Sequence, residues 1–427
     1  MICLIQSATV LQPSGSSEHT DVLLTDGRVA QVGTGLAVPD GATVMDGRGK
    51  VLLPGLFDSH AHVREPGRED CETVATGMAA ALNGGITGMV CMPDTHPPID
   101  NGGMVQSVLD AASKAPRRVD FFVAGCLTRQ RLGEELAELG DMQARGAVMV
   151  TDDPDAVSGA QIMRRALQYA RDLGLLVAAH CDIRELSGPG SMNDGRISYR
   201  LGLPGMPACS EEICLARDIR LAQSVRTRIH IQLVTTARGV ETVARYKREG
   251  MPVTAGVAPH HLVFCDEDVG DYDTNFKVKP PLRTRQDRDA LRQAVREGVI
   301  DLIATDHSPH TEFEKEREFA TAPFGMTGLD TALPLLHDRL LLENLLDWPT
   351  LVERFSRAPR RLIGQKPAEI ECGQRANCVL FDPAGSTRVT ADWIESNSLN
   401  TPLLGQTLRG RVEAVFLDRD CFQPATA

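Results

Sequence analysis

Two histidines separated by one residue, His60 and His62, follow an apolar segment near the start of the chain. In an extended strand, residues i and i+2 point to the same face, so both imidazoles can reach one ion. A His-x-His pair alone predicts little, but Asp153, His180 and Asp306 also follow apolar segments. Two histidines with one or two carboxylates are ligands that Zn²⁺ or a similar divalent ion prefers. The sequence therefore predicts a metal site.

The apolar segments that precede these residues alternate with stretches of helical character. The segments lie near 51–57, 86–92, 119–124, 147–151, 175–179, 229–234, 252–257 and 299–304. The stretch 161–174 has apolar residues at helical spacing and a terminal glycine. Eight strands that alternate with helices predict a (β/α)8 TIM barrel, in which all strand carboxyl ends meet on the catalytic face. The competing doubly wound sheet would need a glycine fingerprint after an early strand, and the sequence has none.

Both ends of the chain have a different pattern, of short apolar runs and turns. Asp26-Gly27 lies between two such runs, which is typical of a β-hairpin, and similar runs begin at Asn377 and Gly410. We therefore predict one small β domain from residues 1–53 and 365–427, with the barrel over 54–364.

The composition of the 427 residues excludes several classes of protein. The 57 Asp and Glu outnumber the 45 Lys and Arg, and the net charge of −12 disfavours nucleic acid or an anionic membrane as a partner. No run approaches the ~18–20 apolar residues of a membrane span. The N-terminus lacks the basic region and long apolar stretch of a signal peptide. Eleven cysteines without regular spacing indicate reduced thiols, so we expect a cytoplasmic protein.

The segment 54–67, PGLFDSHAHVREPG, resembles the signature of the type I bacterial dihydroorotases of the amidohydrolase superfamily. Further blocks resemble that family in the same order, over essentially the whole chain. They are 151–153, 179–181, 258–262, 279–283, 304–310, 322–330, 400–402 and 410–412. Arg64 favours a dihydroorotase over the allantoinases, which resemble this family but usually lack an arginine there.

The resemblance implies a metal-bearing (β/α)8 barrel with a small β-sandwich made from both chain ends. It also implies the reversible cyclisation of N-carbamoyl-L-aspartate to L-dihydroorotate, a step of pyrimidine synthesis. Carried over to matching positions, it assigns the first metal to His60, His62 and Asp306. Asp153 would bridge to a second ion, with His180 on that second ion.

The resemblance also assigns residues to the substrate. Arg64 and His310 would bind its carboxylate, because an arginine offers a planar fork that matches a carboxylate. Phe324 and Gly325 would offer backbone contacts to the ring. Asp306 would carry a proton from the attacking water to the leaving nitrogen.

Three positions depart from the family pattern. Leu233 stands where the family carries a histidine for the second metal, and because leucine cannot bind a metal, we expect one zinc ion and an altered second site. His230 lies three residues earlier, so alternation points it to the opposite face, as a packed or surface histidine. Asp94 and Lys279 each replace an asparagine of the substrate pocket. Since the two new charges are opposite, we predict that Asp94 and Lys279 pair.

Other candidate residues are expected to have packing roles. Cys181 follows His180 and is predicted to be a buried small residue rather than a soft metal ligand. At least one of His260 and His261 is predicted to be structural. Asp152 is adjacent to Asp153, and alternation lets only one of the two point inward.

Three functions stay open on the sequence. The first is an active dihydroorotase acting on a small molecule, which the retained metal residues favour. The second is a non-catalytic relative that serves as a partner of aspartate transcarbamoylase, which the changes at 94, 233 and 279 favour. The third is another cyclic amidohydrolase, such as a hydantoinase, which Arg64 and His310 disfavour because they specify a carboxylate. We also expect a homo-oligomer.

Overall fold

The first fifty residues form strands, as predicted. The computed structural model describes residues 1–12 and 15–425, and its first strands are β1 (Ile2–Gln12), β2 (Gly15–Thr25), β3 (Arg28–Gly33), β4 (Thr43–Asp46) and β5 (Val51–Pro54). The predicted hairpin is present, because Thr25 pairs with Arg28 across a two-residue turn. Its central residues, Asp26 and Gly27, have φ of 50° and 78°, which is the geometry that Asp-Gly favours.

The middle of the chain forms the predicted barrel of eight parallel strands. The strands of this region are β6 (Leu56–Ala61), β7 (Ile86–Cys91), β8 (Asp120–Cys126), β9 (Ala147–Thr151), β10 (Leu176–Ala179), β11 (Met192–Asn193), β12 (Gly205–Met206), β13 (Ile229–Ile231), β14 (Val253–Val257) and β15 (Leu302–Ile303). β11 and β12 pair only with each other, and the other eight are neighbours in chain order. The His62 N–H donates to the His307 carbonyl (2.8 Å) and the Asp306 N–H to the His60 carbonyl (3.0 Å). These two bonds close the barrel.

Helices alternate with these strands and cover the barrel. They are α1 (Val74–Asn83), α2 (Gly102–Lys114), α3 (Leu139–Ala144), α4 (Ala160–Leu173), α5 (Arg184–Ser187), α6 (Arg196–Leu201), α7 (Ala208–Ser224), α8 (Ala237–Arg248), α9 (Pro259–Val263), α10 (Arg285–Glu297), α11 (Glu312–Lys315), α12 (Ala332–Leu336), α13 (Trp348–Val352) and α14 (Ala358–Leu362). The predicted helix at 161–174 is α4, which ends at Gly174 with φ of 71°. None of the helices in the described ranges combines the length and the apolar character that a membrane span needs.

The apolar run at 51–57 forms two strands rather than the one predicted. β5 belongs to the small sheet and β6 to the barrel, and the chain passes between them at Gly55. A Cβ atom at Gly55 would lie 2.1 Å from Asn377 Oδ1 and 2.2 Å from Thr87 Oγ1, so only glycine fits. The break escapes sequence analysis because the run is apolar on both sides of it.

The C-terminal strands complete the small β domain. They are β16 (Asn377–Arg388), β17 (Thr407–Leu417) and β18 (Asp420–Phe422), and the sheet order is β18-β17-β16-β5-β1-β2-β3, with β4 beside β1. This sheet has its own apolar core, which includes Ile5, Leu52, Leu380 and Phe416. The prediction of one β domain built from both chain ends is therefore confirmed.

Candidate active site

The residues predicted to bind metal all lie at the carboxyl ends of barrel strands. His60 is the next-to-last residue of β6, and His62 follows that strand directly. Asp153 lies two residues after β9, His180 directly after β10, and Asp306 three residues after β15. Parallel strands present their carboxyl ends on one side of a barrel, so these distant segments converge.

The imidazoles of His60 and His62 face the same two carboxylates. Asp153 Oδ1 lies 3.0 Å from His60 Nε2 and 3.3 Å from His62 Nε2. Asp306 Oδ1 lies 3.6 Å from each of these nitrogens. His180 Nδ1 lies 3.0 Å from the other oxygen of Asp153. Asp153 thus stands between the His60–His62 pair and His180.

Burial and charge at this centre fit a divalent ion. Several buried imidazole nitrogens have no hydrogen-bond partner among the described residues: His60 Nδ1, His180 Nε2 and His260 Nε2. Buried polar atoms are normally bonded, and imidazole nitrogen is a preferred ligand of zinc. Burial would raise the pKa of the Asp153 carboxyl, but the His60 and His180 imidazoles hold it well below its usual range. The carboxylate is therefore charged and available to a cation.

Asp94 does not pair with Lys279, so that prediction is wrong. Among the described residues, the charged partners of Asp94 are His62, with Nδ1 to Oδ1 at 2.7 Å, and Arg64. The charged partner of Lys279 is Asp182, with Nζ to Oδ2 at 3.4 Å. Both residues lie outside strands, where alternation does not fix the side-chain direction. Asp94 therefore orients His62 and Arg64, and Lys279 lies on another part of the cavity wall.

Arg64 is held rigidly beside the metal centre. Its Nη1 contacts Asp94, its Nη2 donates to Ser308 Oγ (2.7 Å), and its Nε donates to the Pro309 carbonyl (3.3 Å). Burial would raise the pKa of the Asp94 carboxyl, but His62 and Arg64 hold it well below its usual range. His310 Nε2 lies 3.5 Å from Arg64 Nη2. The guanidinium thus has fixed supports on three sides and lines the cavity.

The cluster of candidate metal ligands opens into a cavity of about 400 Å³. The lining includes most of the residues predicted to contact metal or substrate: His62, Arg64, Lys279, Asp306, His310, Phe324 and Gly325. His310 Nε2 lies 2.8 Å from the Phe324 carbonyl oxygen. Burial, and next the Arg64 charge, lower the pKa of His310 to about 3, so the ring is neutral at pH 7. A neutral ring has one N–H, and because a carbonyl oxygen can only accept, that N–H of His310 is on Nε2.

Position 233, where the sequence predicted the loss of a metal ligand, carries an apolar side chain. Leu233 is buried, two residues after β13. His230 does not join the metal centre; it is buried, with Nδ1 3.0 Å from Thr254 Oγ1. Burial lowers the pKa of His230 to about 3. His230 is therefore a packed, neutral histidine.

Two further candidates, Asp152 and Cys181, have structural positions outside the cavity. Asp152 accepts backbone N–H bonds from Leu127 (2.9 Å) and Thr128 (2.8 Å), so it holds the loop after β8. Cys181 belongs to a separate buried cluster with Cys214 and Asp218. Neither residue reaches the cavity.

His260 lies beside the candidate metal ligand Asp306, a position that the sequence did not predict. Its Nε2 lies 3.7 Å from Asp306 Oδ2, whereas His261 Nε2 lies 2.9 Å from the Pro280 carbonyl oxygen. Only His261 is therefore tied to the backbone. The available signal was the position of His260 just after β14, on the same side as the other strand-end residues. Asp182, the partner of Lys279, and Ser308, the partner of Arg64, were also missed.

Comparisons with known proteins agree with this geometry. The profile of the dihydro-orotase-like family matches residues 49–238. The chain is 44% identical to the dihydroorotase of Pelotomaculum thermopropionicum and 40% identical to that of Geobacter sp. strain M21, in each case over 96% of both chains.

Solved structures show the same fold at low identity. The L-hydantoinase from Arthrobacter aurescens superposes with a TM-score of 0.87 at 21% identity, over 100% of this chain and 97% of that one. The dihydropyrimidinase from Brevibacillus agri gives 0.84 at 22% identity, over 99% and 95%. Because full-length relatives exceed 30% identity, the chain belongs to the dihydroorotase family, and it shares its fold with the hydantoinases.

Proposed function

We propose that the protein is a dihydroorotase, which interconverts N-carbamoyl-L-aspartate and L-dihydroorotate in pyrimidine synthesis. The observation that supports this most directly is the position of Arg64 on the wall of the cavity into which the His60, His62, Asp153 and Asp306 cluster opens. A guanidinium is suited to a planar carboxylate. Dihydroorotate is a cyclic amide that carries a carboxylate, whereas a simple hydantoin carries none.

We propose that His60, His62, Asp153 and Asp306 hold one zinc ion, because their ligand atoms already converge. Zinc, when bound, supplies the acidification of a water molecule and the polarisation of an amide carbonyl. Asp153 and His180 are the residues that would hold a second ion. With Leu233 in place of a histidine, that second position has fewer ligands, so one ion per chain is proposed.

The chain's own residues perform the remaining tasks. Arg64, supported by Asp94 and Ser308, binds the substrate carboxylate and thereby orients the ring, and His310 stands beside it. Asp306 moves the proton between water and the ring nitrogen, since it lines the cavity and its Oδ1 lies 3.6 Å from the His60 and His62 imidazoles. The backbone of Phe324 and Gly325 forms the wall against the ring. Lys279 adds positive charge to the cavity wall, partly compensated by Asp182.

Turnover of dihydroorotate tests this proposal. The purified chain, loaded with Zn²⁺, would be given dihydroorotate and, separately, hydantoin, with and without an aspartate transcarbamoylase. We expect hydrolysis of dihydroorotate by the chain alone, and little or none of hydantoin. No turnover in any mixture, together with no bound zinc, would contradict the proposal. Turnover that requires the transcarbamoylase would instead support the role of a partner subunit.

Leu233→His should increase the bound zinc from about one to about two ions per chain, because it restores the histidine that the family resemblance assigns to the second ion. Metal content after dialysis, measured by plasma mass spectrometry, gives the count. Leu233→Met, which conserves volume and apolar character, is the matched control and should leave the count unchanged. An unchanged count in Leu233→His would show that position 233 does not face the second site.

A further inference from the structure

Two lysines are buried behind the wall of the cavity. Lys277 and Lys315 are 2% and 6% exposed. Lysine is almost never buried unless its charge has a partner. Among the described residues, the hydrogen-bond acceptors of both ammonium groups are backbone carbonyl oxygens, and all of these belong to one segment, 319–325.

Lys277 holds the first half of this segment. Its Nζ donates to the carbonyl oxygens of Phe319 (2.7 Å), Ala320 (3.0 Å) and Ala322 (2.6 Å). An ammonium group has three N–H donors, so all of them are used. The same ammonium lies 4.6 Å from the centre of the Phe324 ring, within the range of a cation–π contact.

Lys315 holds the second half. Its Nζ donates to the carbonyl oxygens of Pro323 (3.0 Å) and Gly325 (2.9 Å). Asn400 Nδ2 also donates to the Gly325 carbonyl (3.1 Å). The backbone N–H of Gly325 donates to the Lys277 carbonyl (2.8 Å), which ties the segment 319–325 directly to the backbone at Lys277.

The segment depends on these side chains for its shape. Residues 317–325 form neither helix nor strand, so their carbonyls have no ladder partners. Buried carbonyl groups must nevertheless be hydrogen-bonded. Pro323, Phe324 and Gly325 line the cavity, whereas Lys277 and Lys315 do not. The lysines therefore shape the cavity through the segment rather than by direct contact with a bound molecule.

We propose that Lys277 and Lys315 are positioning residues that hold the segment 319–325 as the substrate-facing wall of the cavity. The proposal rests on the proposed function for the identity of the substrate, an anionic cyclic amide or its open form. The two ammonium groups also place positive charge behind this wall, which favours an anion in a chain of net charge −12.

The charge on the lysines gives the wall a pH dependence. Burial lowers the pKa of Lys277 to about 8. Burial, and next the Lys277 charge, lower the pKa of Lys315 to about 7, against the opposing effect of Asp273 and Glu314. The neighbouring His310 is neutral in this range. As the pH rises from 6 to 9, both lysines lose a proton, and Lys277 keeps two donors for three carbonyls. The KM for dihydroorotate should therefore rise with pH.

Two variants, Lys277→Met and Lys315→Met, test the proposal. Each should raise the KM for dihydroorotate by about tenfold or more, change kcat less than about threefold, and leave zinc content unchanged. Lys315→Met should also weaken the rise of KM with pH near 7. Amide hydrogen exchange in peptides that cover 316–327 should become faster.

Lys247→Met is the matched control. Lys247 Nζ also donates to two backbone carbonyls, those of Gly298 and Val299, but at the amino end of β15. Its loss should change neither the KM nor exchange at 316–327. Wild-type KM and wild-type exchange in both Lys277→Met and Lys315→Met would overturn the proposal.

The exchange measurement separates this proposal from the proposed function. If the wild-type chain turns over no dihydroorotate, faster exchange at 316–327 in the two variants would still support the positioning role, and unchanged exchange would refute it. Should the methionine variants fail to fold, Lys315→Gln retains two N–H donors without the charge. Its KM at pH 6 should exceed that of the wild type. Equal KM values would overturn the claim that the lysine charge favours the bound anion.

Discussion

Asp306→Asn should lower kcat by about 10²–10⁴-fold, the range that positioned proton transfer contributes. Asparagine has the shape of aspartate but cannot accept and return a proton. Asp306 is well placed for this task, because Oδ1 faces the two imidazole nitrogens at 3.6 Å and Oδ2 lies 3.7 Å from His260 Nε2. One carboxylate oxygen thus lies near the His60 and His62 imidazoles and the other near His260. Steady-state hydrolysis of dihydroorotate gives kcat.

A zinc count on the same samples separates proton transfer from metal binding. If Asp306 acts mainly as a ligand, the zinc content of Asp306→Asn falls and added Zn²⁺ restores activity. If it carries the proton, zinc is retained and activity stays low. Asp301→Asn is the matched control, because Asp301 lies just before β15, where it pairs with Lys247 at the opposite end of the same strand. A kcat for Asp306→Asn above about a tenth of the wild-type value would contradict the assignment.

The sequence predicts the positions of the candidate metal ligands with few assumptions. These ligands are His60, His62, Asp153, His180 and Asp306. Each comes after an apolar run, and a parallel barrel brings the carboxyl ends of all strands to one face. Alternation also places His60 and His62 on the same side of β6, as their common neighbour Asp153 Oδ1 shows.

The contacts of residues outside strands could not be predicted in the same way. Asp94 lies three residues beyond β7, and Lys279 lies in an irregular segment before α10. No periodicity fixes where such side chains point, so opposite charge alone suggested a pair that does not form. The roles of Lys277 and Lys315 were hidden for a related reason. Their acceptors are backbone carbonyls of another segment, and side-chain types in the sequence give no sign of them.

Arg64→Met should raise the KM for dihydroorotate by about 10²-fold or more. The variant removes a charged donor for the substrate carboxylate, and a hydrogen bond to a charged group is worth about 1.5–3 kcal/mol. It also leaves the Asp94 carboxylate, whose remaining ion-pair partner among the described residues is His62, close to the bound anion. Because like charges repel in a buried site, the loss of substrate-binding free energy should exceed the contribution of a single hydrogen bond.

The double variant Arg64→Met/Asp94→Asn tests this second contribution. Removing the Asp94 charge should reverse part of the KM increase caused by Arg64→Met, even though Asp94→Asn also weakens the support of His62. A coupling between the two sites is expected, since they are in direct contact. A KM for Arg64→Met within about threefold of wild type would remove Arg64 from substrate binding. If the double variant binds no better than Arg64→Met, Asp94 acts through His62 rather than through its charge on the substrate.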